Sequence, residues 1–394
     1  MIAIALWYNN YQAPSVLMID DLSDAYIEVH NQEYMNDWGY LRDADSSAYS
    51  FLKTQLLNKY KKIKITFFIP YERHAVINEN TPYPYKKYAL GERDIFSNFL
   101  KTLVKEGHEL AHHGSNHGRY IDPKNLSTSK NFKHEWESFE TIEEGIKVTQ
   151  KGIKLFNKHI NTNITGGKFC GYQQRENSLE IINSCNFLYW CDKVNFINKD
   201  YACKFFGSNN LLLFPTNFSG NSFVRLSYKT GDSSRDNKKK ILKYLQPIYN
   251  IFQYKQLNHL YKNREIISIQ EHISPSTTSG SIQSANIISD IKSLNKIYKY
   301  LSKKSIWYAT CAEIANYFFI QQNTTIKIEK NQIIIDFNNY KNLMNSEVSL
   351  FANEPFILTQ HELTYRSILN NLSQVINLPI TNGKNIFNIQ KDKE

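Results

Sequence analysis

Four histidines fall within ten residues, in the run Gly107-His108-Glu109-Leu110-Ala111-His112-His113-Gly114-Ser115-Asn116-His117. Neutral imidazole is a common ligand for borderline-soft cations, and a folded core seldom uses it at this density, so the run points to a bound metal. Two pairings are open. His108-Glu109-Leu110-Ala111-His112 matches the H-E-x-x-H string of zinc proteases, and His113 with His117 offers another pair four apart. The protease pairing needs both imidazoles and Glu109 on one continuous helix, so that residues i and i+4 converge. Gly107 closes the helical pattern before it and Gly114-Ser115 breaks the segment again, which leaves room for a strand and a turn rather than a helix. The longer metzincin spacing fails too, because Gly114 and His117 each fall one residue early.

A carboxylate pair, Asp20-Asp21, follows directly on the apolar run Val16-Leu17-Met18-Ile19. Parallel α/β folds gather their active sites at the carboxyl ends of strands, so adjacent acids there can divide labour. One binds a cation while the other takes a proton, provided the cation keeps both ionised. The plainer reading of the dipeptide is a turn or helix cap for the segment from Leu22. Cys170, Cys185, Cys191, Cys203 and Cys311 are odd in number and form no C-x-x-C pair, so they read as reduced thiols and leave any metal to His and carboxylate.

The elements that must position these groups alternate strand and helix, the pattern of a largely parallel α/β sheet. Strands are expected at 15–19, 63–69, 108–111, 187–190, 211–214, 266–269 and 305–308. Helical periodicity runs over 47–60, 94–106, 134–159, 177–184, 238–262, 285–301 and 311–319. This makes a distorted (β/α) barrel of about seven strands. After Phe319 the texture turns β-rich: 324–328 and 332–337 flank a polar turn, and 348–351 and 356–358 add strands. We therefore expect a catalytic domain over 1–320 and a small β-rich C-terminal module over 321–394, with a frayed tail from Lys391.

The barrel-like part resembles the polysaccharide deacetylases of the NodB-homology type, carbohydrate esterase family 4. The resemblance rests on Ile19-Asp20-Asp21 as the first motif, and on Gly107-His108-Glu109 leading to His113-Gly114-Ser115-Asn116-His117 as the second. It spans Asp20 to His272 in the family's order. It implies Asp21, His113 and His117 as metal ligands and Asp20 as catalytic base. The family's Ser or Thr after the first metal histidine is Gly114 here, which leaves a supporting hydrogen bond either missing or supplied by Ser115. Gly166-Gly167-Lys168-Phe169-Cys170-Gly171-Tyr172 occupies the place of the R-x-P-Y block. Tyr172 then corresponds to the tyrosine whose backbone N–H helps hold the oxyanion. The arginine is absent, with Phe169 at its position and Lys168 or Arg175 as the nearest basic residues. Asp192 takes the place of the acid that orients the acid histidine, and His272, ending Ile269-Gln270-Glu271-His272, that of the general acid.

The function implied is hydrolysis of an N-acetyl, or other N- or O-acyl, group on a sugar or glycan precursor, with one divalent ion: Zn²⁺, or Co²⁺, Ni²⁺ or Fe²⁺. Two alternatives stand beside it. One is a glycan-binding relative that keeps the metal without turnover, which the missing arginine motivates, and the other is the zinc protease using His108, Glu109 and His112. Trp38, Trp190 and Trp307, with Tyr40 and Tyr120, could offer stacking faces for a sugar, and the polar, aromatic segment 24–45 a lid.

Composition narrows the classes. At 394 residues, 41% hydrophobic and 14% aromatic, the chain carries enough apolar surface for a folded enzyme. No run approaches the ~18 apolar residues of a membrane-spanning helix. Residues 1–10 lack the basic leader and cleavage site of a secretory signal, so the expected location is cytoplasmic. The net charge of +10 could attract nucleic acid, an acidic membrane surface or a phosphate-bearing substrate. The lysines, however, are interleaved along most of the chain as a compositional bias would leave them, and the densest run, Lys238 to Lys240, reads as a solvated helix face. With none of the groove-reading motifs present, no nucleic-acid partner is expected. The expected partner is an acylated sugar or glycan, free or carrier-linked.

Overall fold

A computed structural model describes residues 2–27, 47–72, 85–120, 132–194, 203–227, 236–273, 286–339, 341, 343–370 and 372–390. Ten strands form one curled sheet: β1 (Ala13–Asp20), β2 (Ile65–Ile69), β3 (Glu109–His112), β4 (Gly166–Lys168), β5 (Tyr189–Cys191), β6 (Lys204–Phe206), β7 (Leu211–Leu213), β8 (Phe218–Ser219), β9 (Ile267–His272) and β10 (Ile306–Tyr308). Their order is β6-β7-β5-β4-β3-β2-β1-β9-β8, with β10 beside the start of β1. Among the described residues every pairing is parallel except β6 with β7, and β6 and β8 end the order unpaired with each other, so the barrel they form is open. All seven strands expected from the sequence are present. The distorted barrel is thus the fold, with β4, β6 and β8 in addition.

Alternation along the strands gives the sheet two apolar faces. Leu17, Ile19, Ile65, Phe67, Ile69, Leu110, Ile267 and Ile269 face the outer helices in one core. Val16, Met18, Phe68, Ala111, Tyr189 and Cys191 face inward and join the Cys311–Gln322 helix, which closes the end where the strands begin. That helix starts at Thr310, which forms a capping box with Glu313. The helical run expected over 134–159 is two helices, Glu135–Ser138 and Ile142–Ile160. Thr141 caps the second by accepting the Glu144 N–H at 3.1 Å.

β4 escaped the sequence reading because Gly-Gly-Lys runs against strand propensity. The reason for the glycines is space. A Cβ on Gly166 would lie 2.1 Å from the Tyr189 ring and one on Gly167 2.2 Å from the Trp190 ring, so β4 closes on β5 only without side chains there.

The C-terminal region is β-rich, as expected. Thr324–Glu329 and Gln332–Phe337 form an antiparallel hairpin, and Glu347–Ala352 and Ile357–Gln360 are strands. Leu363–Arg366, Ile368–Asn370, Ser373–Pro379 and Gly383–Gln390 extend the set into two sheets that share a core around Ile335, Leu350, Leu358 and Phe387. The two-residue strand Ala3–Ile4 pairs with Glu347–Ala352, so the start of the chain lies in this module's sheet.

The H-E-x-x-H reading ends here. Its residues lie on a strand rather than a helix, so His108 and His112 stand about 13 Å apart along the chain direction. His108 accepts the Ile65 N–H at 3.2 Å, and its ring meets Tyr49 and Phe67. His112 accepts the Gly114 N–H at 3.0 Å inside a box of Tyr71, Trp136, Phe187 and Trp190, and burial pushes its pKa down to about 3. Glu109 points to the opposite face, where the Thr66 and Tyr189 hydroxyls and the Ala312 N–H donate to it at 2.8–2.9 Å.

Burial raises the Glu109 carboxyl to about 7, against the opposing pull of those donors. A carboxyl that holds its proton more tightly folded than unfolded stabilises the fold fully below its ordinary value of 4.5, and loses that contribution as pH rises through about 7. Glu109→Gln is therefore expected to remove up to about 3 kcal/mol of pH-dependent stability loss across that window, read by denaturant melts at several pH values, without affecting turnover.

Candidate metal and acyl-transfer site

Asp20 ends β1 and His272 ends β9, the neighbouring strand, with these two residues in register. His113 follows β3 directly, its N–H bonded to the Ile69 carbonyl at 3.1 Å, and Lys168 ends β4. Four of the five consecutive strands β4-β3-β2-β1-β9 thus deliver these groups to the carboxyl end of the sheet, where parallel α/β folds bind ligands. Asp21 sits in the left-handed region at φ +67, and His117 does so at φ +69. These turns direct their side chains to His113. One Asp21 Oδ1 lies 3.4 Å from His113 Nε2 and 3.3 Å from His117 Nε2.

Those distances fit a metal site. Zinc bonds of about 2.0–2.2 Å at tetrahedral angles place ligand atoms about 3.3–3.5 Å apart. His113 Nδ1 lies 3.1 Å from the Lys168 carbonyl oxygen, a bond that fixes this nitrogen as the donor and leaves Nε2 with its lone pair toward Asp21. Burial alone would push the His113 pKa down. Asp21 and Asp20 outweigh it and raise the pKa, so these carboxylates favour positive charge at the position a divalent cation would take.

Cys170 also lies within 4.8 Å of the ligand atoms of His113 and His117. Its thiol donates to the His113 carbonyl at 3.2 Å, and burial pushes its pKa well up. The Asp21 carboxylate oxygen lies 3.3–3.4 Å from both imidazole Nε2 atoms, whereas the Cys170 thiol is turned to a backbone carbonyl, so the Asp21-His113-His117 set fits the cation on geometry with Cys170 beside it.

The loop between the two histidines is held by Glu135, which opens the short Glu135–Ser138 helix. Its carboxylate accepts the Ser115 N–H at 2.7 and 2.8 Å and the Asn116 N–H at 3.1 Å. Gly114, at φ +78, is required by this arrangement, since a Cβ there would lie 2.5 Å from Glu135 Oε2. The departure from the family motif at 114 is thus explained by a carboxylate that does the bracing from elsewhere in the chain. His134 stands beside it, its ring 5.3 Å from that of His117.

Asp20 is buried, and each of its oxygens has a partner. Lys168 Nζ donates to Oδ1 at 2.7 Å, and Gln270 Nε2 to Oδ2 at 3.2 Å. His272 Nε2 lies 3.9 Å from the same Oδ2. Burial by itself would lower the Lys168 pKa, but the Asp20 carboxylate reverses this and raises it, so the ammonium keeps its charge at neutral pH. Of the two basic residues nearest the missing arginine in sequence, Lys168 is the one that reaches Asp20, and its Nζ lies 4.3 Å from the Phe68 ring centroid. Arg175 is turned elsewhere, onto the Phe139 carbonyl.

Tyr172 joins the site through its hydroxyl, which donates to Gln270 Oε1 at 2.8 Å and lies 2.9 Å from Thr216 Oγ1. A Thr216-Tyr172-Gln270-Asp20 chain results. The Tyr172 backbone N–H, expected to face an oxyanion, bonds to the Phe169 carbonyl at 3.1 Å instead. Asp192 follows β5; burial raises its carboxyl pKa and Lys193 opposes this, while Asp20 lies within ion-pair range of His272. Sequence reasoning missed Glu135, Thr216 and Gln270. Gln270 could have been found from alternation, since it shares a face of β9 with His272.

Two aromatic candidates do not serve the site. Trp190 is fully buried between sheet and helices, and Trp307 packs on Tyr8 and Tyr317 at the opposite end of the sheet. Trp38, Tyr40 and most of the 24–45 segment lie outside the described residues.

No protein-family model and no curated protein matches the chain. Solved structures do. The chain is similar to a protein provisionally described as a polysaccharide deacetylase from Mycobacterium smegmatis, at 13% identity over 83% of this chain and 97% of that one, with a TM-score of 0.44. It is similar to the allantoinase Puue at 14% identity over 79% and 92% of the two chains, with a TM-score of 0.45. A protein provisionally described as a polysaccharide deacetylase from Pseudomonas aeruginosa PAO1 is similar at 13% identity over 79% and 93%, with a TM-score of 0.43. The polysaccharide deacetylases, which the Asp20-Asp21 and His113–His117 motifs resemble, are thus among the solved structures to which this chain is similar.

Proposed function

We propose that this chain is a metal-dependent hydrolase that removes an acyl group, N-acetyl in the first instance, from a sugar. The observation that carries the reading is the juxtaposition of two sets: Asp21, His113 and His117 spaced as ligands of one cation, and Asp20 locked by Lys168 within 3.9 Å of His272. The first set leaves a cation with open positions, and a Zn²⁺ bound there would lower the pKa of a coordinated water toward ~7 and polarise the acyl oxygen.

The chain's own groups do the rest. Asp20 takes a proton from the attacking water, with Lys168 and Gln270 holding its two oxygens in place. His272, reaching the same carboxylate, gives a proton to the departing nitrogen as the C–N bond breaks. The Lys168–Asp20 pair supports the catalytic reading over the glycan-binding alternative, because it supplies a basic partner for the proposed base in a motif that lacks the arginine.

The experiment is release of acetate from a panel of N-acetylated sugars, before and after chelation and after restoring Zn²⁺, Co²⁺, Ni²⁺ or Fe²⁺. Release that a chelator abolishes and a divalent ion restores is expected. Release indifferent to chelation would contradict the reading.

A further inference from the structure

The helix Asp236–Lys262 carries its polarity inside out over part of its length. Toward the protein it presents Gln246 and Gln253, both buried, before Leu257 and Leu260 enter the core. Gln246 is tied down there, its Oε1 accepting the Leu226 N–H at 2.8 Å. Toward solvent it presents Tyr244 at 80% exposure, Ile248 at 54%, Ile251 at 55% and Phe252 at 58%. Their spacing of four, three and one puts them on one face. Exposed apolar residues scattered singly need no explanation, but a row of them on one face of a helix does.

The helix's own charges are nearly all of one sign. The helix contains Lys238, Lys239, Lys240, Lys243, Lys255 and Lys262 against a single acid, Asp236, in a chain of net charge +10. Lys255 Nζ lies 5.7 Å from the Phe252 ring centroid, so a cation borders the apolar row itself. A second copy of the chain would bring like charge against this face. An anionic lipid surface brings the opposite charge and an apolar layer beneath it.

We propose that this helix is a membrane-docking element, which seats Tyr244, Ile248, Ile251 and Phe252 in the interface of an anionic bilayer while its lysines pair with lipid headgroups. A short turn joins the C-terminus of the helix to β9, which runs from Ile267 up to His272, so the helix runs antiparallel to β9 and its apolar half lies toward the catalytic end. Docking therefore sets the bilayer beside the metal site. Joined to the acyl-hydrolase reading, on which this last step rests, the substrate class is an acylated sugar held at a membrane by a lipid carrier.

The test is sedimentation of the full chain with vesicles of phosphatidylcholine alone and of phosphatidylcholine mixed with phosphatidylglycerol. Binding to the anionic vesicles, weakened by salt and at least about tenfold weaker for the double variant Ile248→Glu/Ile251→Glu, is expected. Circular dichroism of the variant checks its folding, which surface positions should leave intact. Failure to bind anionic vesicles, equal binding by the variant, or a wild-type dimer that the variant dissociates would each overturn docking. The substrate class is read separately: the variant should slow turnover of a lipid-linked N-acetyl sugar in those vesicles and leave turnover of a soluble one unchanged. Equal rates on both would overturn that step alone, and absence of turnover on either would fall on the hydrolase reading, since vesicle binding needs no turnover.

Discussion

Asp20→Asn is expected to lower the turnover number for acyl release by about 10²–10⁴-fold, the range that a positioned general base contributes, while divalent-ion binding persists. The split follows from the division of labour between adjacent carboxylates. Asp21 Oδ1 lies within 3.4 Å of both imidazoles, whereas Asp20 faces Lys168, Gln270 and His272. The amide keeps the shape of Asp20 and an acceptor for Lys168 but cannot take a proton. Steady-state kinetics alongside metal titration of the same preparation reads both halves. Loss of metal together with activity would mean that Asp20 is a ligand rather than a base.

The second large effect belongs to Lys168. Its ammonium is wholly buried, and Lys168→Met would leave the Asp20 carboxylate buried without its cation, a change that typically costs about 3–5 kcal/mol. Thermal melts should show a drop of about 5 °C. The acidic limb of the pH–rate profile should move to higher pH, because an unpaired buried carboxylate ionises less readily. Lys168→Arg should retain most of both properties. Adding Asp20→Asn to Lys168→Met should recover stability, since the buried charge is then gone, and a double-mutant cycle measures that coupling. A Lys168→Met protein with unchanged melting and pH profile would show that the pair does not govern the site.

The two strongest sequence signals, Asp20-Asp21 after an apolar run and the second histidine pair, meet in space, because strand alternation and the carboxyl-end rule apply to any parallel sheet. The same alternation removed H-E-x-x-H, since on β3 Glu109 and His112 face opposite sides. What stayed hidden depends on contacts between distant segments. Nothing local marks Glu135 as the brace of the 114–116 loop, or explains Gly114 until Glu135 is seen against it. Lys168 could be named as a basic neighbour of the motif, but its pairing with Asp20, 148 positions away, depends on β4 lying two strands from β2 and three from β1 in the curled sheet. The β4 strand was itself obscured by glycines whose purpose is to admit Tyr189 and Trp190.

Bound metal per chain tests the central claim most directly, measured by elemental analysis of protein loaded with Zn²⁺ and freed of excess, for the natural sequence and for Asp21→Ala, His113→Ala and His117→Ala. One ion per chain in the first, and its loss in each of the three, is the result expected. No ion in the natural sequence, or one that survives all three substitutions, would contradict it.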